Sequence, residues 1–184
     1  MTLVKDLVDA GSMSKEVINW TQGDVMNQFI SGNIAMMVNG PWQVPTMREQ
    51  APDLNWDVTL LPKDAEYASC LGGENFGVID GDNVDAALDF LQFATSKDEV
   101  ASYIDDFGYI AARKDVAEGQ FTDDETMQKF TEEMQYAQPR GPHAQWPEIS
   151  DALSLAVNES ITGTSTPADA AAKAQSTIDG ILAE

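Results

Sequence analysis

A helix-rich α/β fold is predicted by three features of this 184-residue sequence. Eight stretches read as helices, three short apolar runs read as strands, and Gly, Pro, Asn and Ser punctuate the joins. The first helix spans about 3–10, where Thr2-Leu3-Val4-Lys5-Asp6-Leu7-Val8 is amphipathic. The second spans 24–31: Val25, Met26, Phe29 and Ile30 recur at helical spacing after the N-cap candidate Thr21, and Ser31-Gly32 supplies the stop. A strand is expected over 34–38, ended by Asn39-Gly40 ahead of Pro41, a favoured first residue of a helix. Trp42 is thereby predicted at a strand-to-helix corner, opening a helix over 42–50.

Further strands are expected at 56–61 and 75–79, with a loop from Pro62 to Ser69 between them. Helices dominate after residue 80, at 83–95, 97–106, 123–137, 147–162 and 167–183. Thr95-Ser96 ends one helix and caps the next, and Pro167 after Ser165-Thr166 gives the last helix a proline start. The alanine-rich run from Ala170 to Ala174 suits close helix packing, and Pro139 to Pro142 reads as a loop.

Composition excludes several classes of function. A hydrophobic fraction of 43% is enough for a core, and no apolar run approaches a membrane span. The formal charge of -21, from 31 acidic residues against 10 basic ones, repels phosphate, so no nucleic-acid partner is expected. Its simplest reading is a solvated acidic surface. The single cysteine, Cys70, cannot form an internal disulfide and is expected to be a small buried hydrophobe. With one histidine, His143, and no Cys/His cluster, neither a zinc site nor any other cofactor is expected. The acidic stretch Asp80–Asp85 lacks the glutamate of a calcium loop, because Leu91 stands at that place. No Gly-x-Ser-x-Gly or Gly-x-x-x-x-Gly-Lys motif supports nucleophilic catalysis or nucleotide hydrolysis.

The order helix, Ser31-Gly32-Asn33-Ile34-Ala35-Met36, strand, Asn39-Gly40-Pro41-Trp42 resembles the sugar-binding family of extracellular solute-binding proteins of ABC importers, which includes maltose-binding protein. Trp56 to Pro62 is similar to the family's next strand, Gly72 to Val78 to its crossover between lobes, Ala86 to Phe93 to the following helix, and Pro167 to Gln175 to its closing helix. The resemblance implies a periplasmic-binding-protein-like type II fold, here a C-terminal part with most of the N-terminal lobe absent. Residues 1–72 and about 119–184 would belong to the C-terminal lobe, and 73–118 would be lent to the other. The apolar stripe Ala86, Ala87, Phe90, Leu91 and Ala94 would then lack part of its packing partner. Self-association through the face of the 83–95 helix, or marginal stability, is the expectation.

The same resemblance implies a non-enzymatic protein outside the cytoplasm, extracellular or periplasmic and membrane-associated in full length, that delivers a carbohydrate to an ABC permease. No targeting segment is visible in this chain; Tyr67-Ala68-Ser69-Cys70 resembles a lipidation box only superficially, being internal and preceded by charges. Trp42 offers a flat face to a pyranose ring. Glu74 and Asn75, after a Gly-Gly pair, are candidates to bracket hydroxyls, and Trp146 is a candidate second platform. Tyr109 reads either as a core residue or as lining the cleft, and Arg140 and His143 either as hydroxyl donors or as simple surface residues. The alternatives are a peptide- or polyamine-binding relative, or a carbohydrate-active enzyme using carboxylates such as Glu74 and Glu148.

Overall fold

The computed structural model describes residues 1–183. Nine α-helices are described: α1 Thr2–Asp9, α2 Gln22–Ile30, α3 Val44–Gln50, α4 Val84–Ala94, α5 Lys97–Tyr103, α6 Lys114–Ala117, α7 Glu125–Glu133, α8 Trp146–Thr162 and α9 Pro167–Leu182. Two three-residue strands, β1 Ser69–Leu71 and β2 Ala137–Pro139, pair in parallel with Cys70 opposite Gln138. Short 3-10 turns cover Lys15–Asn19, Pro41–Gln43, Asp105–Phe107 and Met134–Tyr136. The chain divides into two compact units, Met1–Val25 with the chain from Gly141 onward, and Met26–Arg140.

In the first unit α8 and α9 pack through small side chains. Ala156, Ala170 and Ala174 form one buried cluster, with Ala170 fully enclosed. Absent side-chain bulk lets the two backbones approach, so dispersion contacts accumulate along their length. Thr166 fixes where α9 begins: its hydroxyl accepts from the Asp169 N–H at 3.1 Å and donates to the Asp169 carboxylate at 2.7 Å. Lys173 ties α9 to Glu159 of α8 at 2.6 Å, and α1 and the 15–19 turn rest on α8.

The second unit starts within α2. Thr21 and Asp24 cap that helix reciprocally, the Thr21 hydroxyl taking the Asp24 N–H at 3.2 Å and the Asp24 carboxylate taking the Thr21 N–H at 2.8 Å. Its other end closes on Gly32, whose φ of +72° lets Asn33 N–H reach back to the Gln28 carbonyl and Gly32 N–H to that of Phe29. Both ends stand where the sequence put them. Farther on, α5, α6 and the segment between them enclose Val100, Ala111 and Val116.

The strand expectations were wrong in detail. None of 34–38, 56–61 or 75–79 is a strand in the structure. Along 54–60 half-buried and exposed residues alternate strictly, which is the period of a strand, but no neighbour among the described residues pairs with it. A strand is defined by its ladder, and periodicity predicts the face without predicting the partner. At 75–79 every residue is exposed, Ile79 at 91%, and at 34–38 Met36 reaches 86%. The pair that does form lies at 69–71 and 137–139, neither read as a strand, because a three-residue contact between distant segments leaves no local signature. Cys70 is exposed, against the expectation of burial.

The helices fall within a few residues of their predicted bounds, except that 97–106 and 123–137 each finish in a 3-10 turn. Four-residue α6 and the 15–19 turn were not foreseen. In the stripe on α4, Ala87, Leu91 and Ala94 are half-buried while Ala86 and Phe90 face outward, Phe90 at 60%.

Candidate functional site

The site is built on the Gly40–Pro45 corner. Pro41 fixes the first helical φ, and Val44 and Met47, both almost fully buried, root the following helix in the core. Gly40 is buried, and a Cβ there would fall within the benzo ring of Trp42. The indole therefore folds back over the Gly40 backbone, a close approach that only glycine permits. Trp42 is half-buried, and its ring meets Tyr109 at 6.1 Å between centroids with the planes inclined by 39°.

Tyr109 reaches that position from a distant loop. Gly108 precedes it in the left-handed region at φ +67°, ending the 105–107 turn with its N–H on the Asp105 carbonyl at 2.9 Å. A Cβ on Gly108 would lie 2.8 Å from both the Pro41 carbonyl oxygen and Pro45 Cδ, so the two backbones are in direct contact. The Gln120 amide bonds the backbone of Tyr109 and Ala111. The pair thus combines two inclined apolar faces with an indole N–H and a phenol hydroxyl, which suits a ligand that is apolar on its faces and polar at its rim.

The other sequence candidates lie elsewhere. Glu74 and Asn75 sit in the wholly exposed stretch 71–80, and their side chains make no hydrogen bond among the described residues. Arg140 is exposed immediately after β2. Trp146 belongs to the other unit, where it is half-buried at the start of α8 ahead of Pro147. His143, exposed, accepts from the Gln145 N–H through Nδ1 at 3.2 Å. Sequence reasoning missed Gln120 and Gly108; a glutamine whose partners lie 9 to 15 residues away carries no motif.

Charge near the site is organised by Arg48 of α3, which grips Asp124 at 2.7 and 2.9 Å. This hydrogen-bonded guanidinium holds the Asp124 carboxyl below its ordinary value, with burial opposing it. Among the described residues no three His, Cys, Asp or Glu side chains converge as metal ligands, and no helix is long and apolar enough to cross a membrane. An open groove of about 380 Å³ between α8 and α9 is lined by alanines and by charged residues such as Glu148, Asp151 and Lys173, with no aromatic ring.

This architecture is the type II fold of periplasmic binding proteins. It is similar to the ABC substrate-binding protein Lmo0181 of Listeria monocytogenes, determined in complex with cycloalternan, at a TM-score of 0.70 and 20% identity over 92% of this chain and 47% of that one. The model of the bacterial extracellular solute-binding protein family matches residues 1–129, and the chain belongs to that family. Provisionally named binding proteins of Brucella abortus (strain 2308) and Brucella suis biovar 1 (strain 1330) are each 28% identical over 180 residues, 94% of this chain and 44% of theirs. The chain thus spans less than half the length of the curated relatives it matches.

Proposed function

We propose that this chain is part of the substrate-binding component of an ABC importer and captures a carbohydrate, an oligosaccharide in particular, for a membrane permease. The observation that carries this is the inclined Trp42–Tyr109 pair seated on Gly40. Pyranose rings present apolar C–H faces and polar edges, and two inclined aromatic faces suit successive rings of a bent chain. The oligosaccharide in the similar Listeria protein supports the same ligand class. Trp146, Glu74, Asn75 and Arg140 would add a second platform and hydroxyl partners once the full cleft is assembled.

The protein works by binding rather than turnover, outside the cytoplasm, as its family does. Residues 73–118 would pack against the remainder of a longer chain, in line with relatives of more than twice this length. That cover accounts for exposed Phe76, Ile79 and Phe90 without a second copy, so self-association is not carried forward.

Titrating tryptophan fluorescence with a panel of oligosaccharides tests the reading. A saturable change for one sugar class is expected, with Trp42→Ala weakening binding by about tenfold to a hundredfold. If a longer chain with the matching remainder also ignores every sugar, the carbohydrate reading fails and a peptide or polyamine ligand takes its place.

A further inference from the structure

We propose that Gln120 is a positioning residue for the aromatic pair, clamping the Tyr109 backbone against the Trp42 corner. Its Oε1 accepts the Ala111 N–H at 2.7 Å, and its Nε2 donates to the Tyr109 carbonyl at 3.1 Å and to Asp105 Oδ1 at 2.5 Å. Accepting from one residue and donating to the residue two before it is the pattern a neighbouring strand would offer. Here one side-chain amide supplies it, where the described residues contain no strand beside 109–111.

The preceding residue of the same segment is fixed by sterics. Gly108 lies against the Pro41 carbonyl and Pro45, so the Tyr109 backbone is located both by a hydrogen-bonding arm and by a close contact one residue before it. With its backbone located, the Tyr109 ring keeps only its side-chain torsions, and the 6.1 Å contact with Trp42 follows. The arm is itself braced. Phe121, next to Gln120, stands at φ +54°, and Gln128 of α7 donates to the carbonyls of Phe121 at 3.1 Å and Thr122 at 2.7 Å. A non-glycine residue holds such a conformation only where its surroundings over-determine it.

Gln120 need not touch a ligand to matter, since a binding face loosened by an ångström loses its complementarity. That consequence rests on the carbohydrate reading, whereas the positioning itself can be measured without any ligand. The contribution of Trp42 to near-ultraviolet circular dichroism is taken as the difference between the chain and Trp42→Phe, then measured again in a Gln120→Glu background. Gln120→Glu keeps the volume but removes the amide donor and sets a carboxylate against Asp105 and the Tyr109 carbonyl. The Trp42 difference signal is expected to fall by about half or more, with the far-ultraviolet spectrum unchanged. An undiminished signal overturns the proposal. Should Gln120→Glu misfold, Gln120→Ala gives the same readout without the added charge. In sugar titrations of a chain that binds, Gln120→Glu should weaken affinity about tenfold, and unchanged affinity would also overturn it. A collapsed Trp42 signal with no sugar binding to any variant, in the longer chain as in this one, would leave the positioning intact and remove the carbohydrate reading.

Discussion

Asp124 performs two tasks with one carboxylate. It caps α7 by accepting the Met127 N–H at 3.1 Å, and it receives both nitrogens of Arg48 from α3. Because Arg48 is about half exposed, at 48%, solvent screens the pair and limits it to roughly 1 kcal/mol. Asp124→Asn retains a capping side chain and should lower stability by about that amount; Asp124→Ala loses the cap as well and should lower it by about 1–3 kcal/mol. The pKa of Asp124 is depressed in the folded chain, so its contribution is complete above the ordinary carboxylate value and disappears as pH falls through the folded one. Melting curves of the chain and Asp124→Asn should therefore differ at neutral pH and converge in acid once pH falls below the depressed value of Asp124. Gly108→Ala meets a different obstacle, a positive φ together with backbone 2.8 Å from the new methyl. It should cost about 1–3 kcal/mol and broaden the Trp42 signal, as seen by thermal melting and near-ultraviolet dichroism. Trp42 was legible in Asn39-Gly40-Pro41-Trp42 because those residues dictate a corner locally, whereas no local pattern announces Gln120, whose partners lie 9 to 15 residues away.

At the scale of elements, the helices were readable because their caps and periodicities are written within one or two turns. Thr21 and Thr166 cap the helices they were expected to start, and Ala170 to Ala174 supplies the close packing its composition suggested. Ala170 has no exposed surface, so Ala170→Leu must push α9 away from α8 and should destabilise by about 1–3 kcal/mol. Ala172→Leu, at an exposed position on the same helix, should be nearly neutral, and comparing the two by chemical denaturation separates packing from helix propensity. The strands failed because a ladder needs a second segment. Residues 54–60 show the right alternation with no pairing partner among the described residues, while Leu61 gives its N–H to Glu133 at 3.2 Å instead.

At the scale of the molecule, the segment from Leu71 to Asp80 is exposed throughout, and α4 behind it buries no residue fully. Apolar side chains held in water destabilise their segment relative to the alanine-packed α8 and α9. Hydrogen exchange of this chain is expected to show rapid exchange across 71–83 and the strongest protection in α8 and α9. Slow exchange across 71–83 would mean that the stretch is covered in solution. In a longer chain carrying the remainder of the relatives' length, the same stretch should gain protection, which tests the packing proposed for residues 73–118.

The sequence by itself determined all the helices but four-residue α6, the caps at Thr21 and Thr166, the family and the Trp42 corner, because each is written in residues a few positions apart. Tertiary structure decided which extended segments pair, that Cys70 and Phe90 face outward, and that Tyr109 meets Trp42 across 67 positions through the support of Gly108 and Gln120. Those outcomes depend on which distant backbone groups come within hydrogen-bonding range. Local periodicity is silent on that choice, and only the packed chain makes it.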